Sequence, residues 1–412
     1  MISVDEALDT ILSQVQVLGT ERVPTADGLG RVLAEDIHAT LNVPPLDNSA
    51  MDGYAVRISD IEGASQDSPA RLAVIGDLPA GYRADRPLQA GEALRIMTGA
   101  PVPEGADTVV MQEDTLLEGP EVLIRQVPGR GENIRCAGED IRQGTLLFSA
   151  GTRIRPGHIG IMASTRRACI SVYQRPRVAV LSTGDELVDI DEELSEGRIV
   201  TSNSYSLAAL VRENGGTPIT LGIARDTKEA LRERMREGLH ADILLSSGGV
   251  SVGDYDFVKD VLKDFGIDMK FWKVSMRPGQ PLAFGLVKGK PTFGLPGNPV
   301  SVMVSFEQFV RPAMRKMSGC RDLFRMTVDA VARDEVTTGI GKKYFIRCRV
   351  NCEGGRYYVT TTGEQGSGIL MSMAIANGLM IVPEDRETIR PGDTVKVQIL
   401  DPEFGFTDQP VY

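Results

Sequence analysis

Behind Ser3, with Glu6 three positions on, the apolar residues Leu8, Ile11, Leu12 and Val15 recur at helical spacing, so the chain is expected to open with a capped amphipathic helix. From residue 41 to about residue 142 the pattern changes to short apolar runs, among them 71–74 and 94–97, broken by prolines and glycines. That texture predicts a small, mostly-β module. Ile159, Ile161 and Met162 then predict a second helix within 151–172. Pairing of the two helices would make the β module an insertion at 45–142, with 1–44 and 143–174 forming one N-terminal domain in two segments.

From residue 175 strands and helices alternate. A buried run from Val178 to Leu181 is followed by a helix over 204–213 that ends at Asn214-Gly215-Gly216, as a helix C-terminus prefers. A strand at 219–223, a helix at 227–239, a strand at 243–245 and a helix at 255–265 come next, and two more strand candidates precede a long helix over 299–317. The alternation predicts a central doubly wound α/β domain over 175–321, with a parallel sheet covered by helices on both faces. After Gly319 the helices are expected to stop. Segments 357–361 and 394–400, the latter alternating Val395, Val397 and Ile399, predict a small C-terminal β domain over 322–412. The fold class is therefore multidomain α/β plus β.

At 412 residues the chain is long enough for more than one core, and 42% hydrophobic with 25% charged residues is an ordinary globular balance. No apolar run approaches the roughly 18 residues that span a bilayer, and Asp5 and Glu6 stand where a targeting peptide needs cations. No membrane partner and a cytoplasmic location are expected. A net charge of −11 repels polyanions, which argues against nucleic acid; a small anion needs local cations. The five cysteines are odd in number with no Cys-x-x-Cys, and His38, His158 and His240 are far apart, so disulfide frameworks, thiolate zinc and histidine triads are poor fits. Cys348 and Cys352 would share one face of a strand, as packing residues do. Chemistry must then rest on carboxylates, hydroxyls, Lys, Arg and backbone amides.

In a parallel α/β sheet, ligands bind where strands give way to helices, because helix N-termini offer free N–H groups and a positive dipole end. After the strand at 243–245 comes Ser246-Ser247-Gly248-Gly249-Val250-Ser251-Val252-Gly253-Asp254-Tyr255-Asp256, a run that could wrap an anion with its amides or could simply be a turn. No Gly-Lys-Ser/Thr follows, so it is not a Walker motif. Other strand ends carry Ser182-Thr183-Gly184-Asp185-Glu186 and Ala224-Arg225-Asp226. Taken singly, each acid serves as well for an N-cap or a solvated residue. Together, Glu186, Asp226 and Asp256 would converge on one sheet edge and would admit a phosphate only with a divalent cation, for which oxygen ligands favour Mg²⁺. Gly294-Leu295-Pro296-Gly297-Asn298-Pro299-Val300-Ser301 predicts a stiff strand-to-helix turn, and Lys273 and Arg277 upstream supply balancing cations or a solvated edge. Polar clusters at 47–56 and 97–105 are turn chemistry or a second part of a site.

With these residues assembled, the chain resembles the molybdopterin molybdenumtransferase family, the MoeA and gephyrin E-domain type. The resemblance runs through 47–56, 97–105, 131–140, 182–187, 246–256, 278–285 and 294–301, in the family's order. It implies a MogA-like molybdopterin-binding fold for the central domain and insertion of molybdate into adenylylated molybdopterin, with release of AMP and a need for Mg²⁺. It also implies a homodimer in which the α/β domain of one subunit faces the β module and C-terminal domain of the other, and contact with the adenylyltransferase of the same pathway. By position, the family's functional acids correspond to Asp52, Glu186, Asp226 and Asp256, the last three as metal ligands, and its threonine to Thr98. Ser247, Gly248, Gly249 and Ser251 would hold the nucleotide portion; Lys273, Arg277, Ser301, Arg347 and Ser367 would surround the pterin phosphate or oxyanion, with Pro296 and Pro299 shaping the pocket. Where relatives commonly read Lys-Pro-Gly-Lys-Pro, this chain has Arg277-Pro278-Gly279-Gln280-Pro281, a planar fork for one cation and a neutral amide for the other. The competing functions are a molybdopterin adenylyltransferase and a non-catalytic, gephyrin-like scaffold.

Overall fold

The structure, a computed structural model, describes residues 1–249 and 257–405. Its contacts divide into two compact units, one of residues Met1–Glu21, Gly30–Ala34 and Val172–Tyr412, the other of Arg22–Leu29 and Glu35–Ser171. Helix α1 (Val4–Gln14) begins as its sequence dictates: Ser3 Oγ accepts from the Glu6 N–H (3.1 Å) and the Glu6 carboxylate accepts from the Ser3 N–H (2.8 Å), satisfying two orphan amides reciprocally.

The second unit is built on one mixed sheet of β1 (Gly53–Val56), β2 (Ala70–Leu78), β3 (Glu92–Ile96), β4 (Thr108–Met111), β5 (Thr115–Glu118) and β6 (Glu121–Ile124), in the order β4-β1-β3-β2-β6-β5. All pairings are antiparallel except β2 with β3. The packing at Gly53 is tight enough that a Cβ there would lie 1.9 Å from the Val110 carbonyl oxygen, so β1 can lie against β4 only with glycine at its start. Helix α2 (Pro156–Ser164) packs on the turn at Thr25–Gly28 of the same unit. Helix α1 belongs to the first unit. Val4, Ala7, Ile11 and Val15 are buried with Met314 and Met317, where Lys316 Nζ also donates to the Leu12 carbonyl (2.6 Å). The apolar face of α1 was legible in the sequence; its partner was a long-range choice that periodicity does not specify.

In the first unit a central sheet runs β8-β7-β9-β13-β12-β10 and is assembled from β7 (Arg177–Thr183), β8 (Thr217–Ala224), β9 (Ile243–Ser247), β10 (Asp268–Lys273), β12 (Pro281–Val287) and β13 (Lys290–Leu295). The intervening two-residue strand β11 (Met276–Arg277) leaves this sheet for another. Four strands, β8, β7, β9 and β13, pair in parallel, whereas β12 pairs antiparallel with both β13 and β10 and so runs against all the others. The sheet is therefore mixed where a parallel one was expected, because β12 and β13 are joined by a hairpin at Lys288-Gly289 too short for a crossover. Both faces are apolar, as β7 shows: Val178 and Val180 bury on the side of α3 (Asn203–Glu213), Ala179 and Leu181 on the side of α4 (Lys228–Gly238) and α5 (Phe257–Asp264). Each fully buried valine or leucine contributes about 1.5–3 kcal/mol.

The expected long helix is α6 (Pro299–Ser305) and α7 (Arg311–Met317) joined through a π turn at Phe306–Val310. Pro312 has no N–H and its ring would strike the carbonyl of Gln308 in a regular helix; the wider turn removes that conflict. Beyond it, β14 (Thr327–Ala332), β15 (Lys343–Glu353), β16 (Arg356–Thr361), β17 (Gly378–Val382) and β18 (Thr394–Ile399) close into a small barrel, since β15 pairs with both β16 and β17. Strand β11 joins its edge, with Met276 opposite Lys343 and Arg277 opposite Tyr344. One helical turn, α8 (Met371–Ala374), interrupts the run of strands expected after Gly319.

Candidate active site

The outgoing connection of β7 turns towards β8 and that of β9 towards β13, so the neighbouring ends of β7 and β9 form a switch point, the place where an open α/β sheet leaves a crevice. A cavity of about 920 Å³ opens there. Thr183 ends β7 and Gly184 and Glu186 follow it, Asp226 follows β8, and Ser247 ends β9 with Gly248 and Gly249 after it. Lys273, Arg277 and Gln280 come from the β10–β12 stretch, Pro296, Pro299 and Ser301 from the β13–α6 turn, and Lys342 and Ser367 from loops of the barrel.

The glycines are there for close approach. Gly248 has φ +94 and a Cβ on it would lie 2.7 Å from the Thr183 carbonyl oxygen, while one on Gly249 (φ +66) would strike Val258 at 2.4 Å. Asn203, at the start of α3, ties two walls together by donating from Nδ2 to Ser247 Oγ (2.8 Å) and to the Gly297 carbonyl (2.7 Å); its Oδ1 is buried and unpaired. The chain leaves Asn298 in the N-cap position of α6 with Pro299 behind it, but the Asn298 amide donates to Ser367 Oγ (3.0 Å) and caps nothing.

Charge is divided across the cavity. On one side Asp226 is pushed above the usual carboxylate range, first by burial and then by the charges of Asp185 and Glu186. The neighbouring Arg225 does not relieve them, because its guanidinium donates to the Asp185 and Leu187 carbonyls (3.0 and 3.2 Å). An all-oxygen pair of uncompensated carboxylates fits a hard divalent cation, which commonly takes one or two carboxylates and completes its shell with phosphate oxygens and water. Among the described residues no cluster of three or more acids, histidines or cysteines is arranged to hold a metal. The third acid, Asp256, and Ser251 lie outside the described residues. On the opposite side Lys273, Arg277 and Lys342 have no acidic side chain within ion-pair distance among the described residues.

Arg347 is placed differently from the expectation that it lines the oxyanion site. It is almost fully buried on β15, its Nε donating to Ser372 Oγ (3.0 Å) and its guanidinium to the Gly366 carbonyl (2.9 Å), and burial pulls it down to about 10. Its backbone N–H donates to Gln365 Oε1 (2.9 Å). It therefore grips from behind the 365–367 loop that meets the cavity. In the other unit, Asp52 Oδ1 accepts from both the N–H and the Oγ1 of Thr98, which lowers the carboxyl, the backbone bond most. Of the functional candidates, sequence reasoning missed Asn203 and Lys342. The Thr201-Ser202-Asn203-Ser204 run at a helix start was a usable signal for the first; nothing local marked the second.

Comparison with known proteins extends these observations over the chain. Residues 2–165 match the family profile "MoeA N-terminal region (domain I and II)", 179–316 match "Probable molybdopterin binding domain", and 329–400 match "MoeA C-terminal region (domain IV)". A "Molybdopterin molybdenumtransferase" of Nostoc sp. is 41% identical over 384 residues, covering 92% of this chain and 88% of that protein. A "Molybdopterin molybdenumtransferase 2" of Mycobacterium tuberculosis is 40% identical over 96% of this chain and 99% of its own length. The solved molybdopterin biosynthesis MoeA protein of Pyrococcus horikoshii OT3 superposes with a TM-score of 0.81 at 32% identity, over 97% of this chain and 100% of that one. Most residues lining the cavity at the switch point thus fall in the segment that matches the molybdopterin-binding profile, with Lys342 and Ser367 coming from the segment that matches the C-terminal one, and the chain belongs to the molybdopterin molybdenumtransferase family of the MoeA type.

Proposed function

We propose that this chain is the transferase that inserts molybdenum into molybdopterin, taking adenylylated molybdopterin and molybdate as substrates and releasing AMP. The observation that carries the reading is the division of one cavity into a rim of crowded carboxylates and a wall of cations without acidic partners. Two anionic guests that repel each other need such an arrangement. Lys273 and Arg277 hold the tetrahedral oxyanion by charge-assisted hydrogen bonds, and the Ser247-Gly248-Gly249 turn receives the nucleotide portion. Glu186 and Asp226, with Asp256, would hold Mg²⁺, which would supply positive charge against the diphosphate. In the transfer, two dithiolene sulfurs bond molybdenum as one oxide ligand leaves as water with the two thiol protons, and molybdenum keeps its oxidation state. Water cleaves the phosphoric anhydride to AMP and the pterin phosphate. Asp52, kept ionised by Thr98, orients water or accepts a proton. The protein works as a cytoplasmic homodimer and receives its substrate from the adenylyltransferase that makes it.

The test is to supply adenylylated molybdopterin, Mg²⁺ and molybdate and to measure AMP. Stoichiometric AMP and a molybdenum-loaded pterin are expected. Pyrophosphate from ATP and bare molybdopterin, with no molybdate-dependent AMP, would make the chain an adenylyltransferase instead.

A further inference from the structure

Lys342 and Lys343 stand side by side at the entry to β15 and are treated oppositely by the fold. Lys343 is neutralised, its Nζ lying 2.9 Å from the Asp5 carboxylate and 3.7 Å from Glu384. Lys342 faces the cavity, half-buried, and its Nζ donates to Gln280 Oε1 at 2.7 Å. An ammonium has three donors and no acceptor, so one is committed to Gln280 and two are left for whatever occupies the cavity. The identity of residue 280 matters here. A glutamate would cancel the charge it orients, whereas a glutamine fixes the direction of the ammonium and leaves the full positive charge available. The pairing of β11 with β15 supplies the register: Arg277 lies opposite Tyr344, so Arg277, Gln280 and Lys342 are brought to one wall from positions more than sixty residues apart in sequence.

We infer that Lys342, aimed by Gln280, is an oxyanion-binding residue of the cavity and completes with Lys273 and Arg277 a three-cation site for a divalent tetrahedral oxyanion. This rests on the reading of the cavity given above. A doubly negative guest then meets three positive groups, Lys273 and Arg277 from the β10–β12 stretch and Lys342 from the loop before β15. Lys342 contacts substrate in this account, while Gln280 is a positioning residue that acts through it.

The experiment is calorimetric titration of the full-length protein with molybdate, and with sulfate as a second probe of the same shape, at fixed ionic strength. Replacing Lys342 by Gln should weaken molybdate by about tenfold or more, the effect of losing one hydrogen bond from a charged group. Gln280→Glu, which keeps Lys342 in place but neutralises it, should weaken molybdate to a similar degree with an unchanged melting temperature, an outcome a merely structural role for residue 280 would not give. Lys343→Gln should stay within about twofold of the parent, since that charge is already paired. Affinity within about twofold of the parent for both the Lys342 and the Gln280 variants, with loss on Arg277→Ala, overturns the inference and leaves the cavity reading standing. No molybdate or sulfate binding by the unaltered protein overturns both.

Discussion

One carboxylate oxygen of Asp52 accepts two hydrogen bonds from a single residue, the N–H and the Oγ1 of Thr98, each at 2.7 Å. Both bonds favour the ionised acid, and the folded pKa lies below the ordinary aspartate range. A group shifted in that direction adds stability above its unfolded pKa and loses it as pH falls through the lowered folded value. Thr98→Val keeps the backbone bond and removes the hydroxyl one. The Asp52 carboxyl should then titrate higher, measured by carbon-detected NMR, and AMP release should fall while the melting temperature at neutral pH barely moves. An unshifted Asp52 titration would remove Thr98 from this role.

Asp226 is shifted the other way, by burial and then by Asp185. Its charged form is disfavoured in the folded state, so it lowers stability as pH rises from the unfolded pKa through the raised folded one, and the penalty is absent under more acidic conditions. Asp226→Asn should therefore raise the melting temperature at neutral pH, with the gain vanishing on acidification, and should abolish the Mg²⁺ dependence of AMP release. A variant less stable than the parent at neutral pH would contradict the electrostatic account.

Gly248→Ala places a methyl group 2.7 Å from the Thr183 carbonyl oxygen at a backbone angle of φ +94. Strain of this kind amounts to about 1–3 kcal/mol, and relief can come only by parting the ends of β7 and β9. Chemical denaturation should show that loss, and nucleotide affinity should fall more than molybdate affinity. Equal losses for both ligands would mean that the turn does not hold the nucleotide.

Glu307 is buried on the π turn between Arg325 Nε (2.8 Å) and Arg311 Nε (3.4 Å), and Arg311 is itself lowered to about 10 by burial. Glu307→Ala would leave the buried Arg311 without its acid and Arg325 with only the more distant, half-exposed Glu213 at 3.7 Å. Removing one partner of a buried pair is destabilising by about 3–5 kcal/mol, and denaturant titration should show a loss of that size. A loss below about 1 kcal/mol would show the cluster to be solvated.

The elements that announce themselves locally were readable from the residues: the capped helix at Ser3, the alternating strands and helices from Arg177, and the carboxylates and glycines at the strand ends. What escaped was set by pairing across long stretches of chain. The partner of α1, the antiparallel pairing of β12 with β10, and the departure of β11 to the barrel depend on contacts between distant segments, to which a period of 2 or 3.6 is blind. The same holds within the site. Glu186 and Asp226 follow their strands directly, so strand assignment located them, whereas Lys342 reaches the cavity only because β15 lies beside β11. Arg347 shows the converse: the family resemblance placed it at the oxyanion, but it is buried on β15 and holds the Gly366 carbonyl from behind the cavity loop.

The detour of β11 has a consequence for how the protein can be divided. Met276 and Arg277 are stitched to Lys343 and Tyr344, and the Lys343 N–H also donates to the Ser275 carbonyl (3.0 Å). Severing the chain near residue 321 would give one fragment the whole carboxylate rim and leave the cationic wall half-built on either side of the cut. A site that must greet two repelling guests at once is, in this molecule, indivisible.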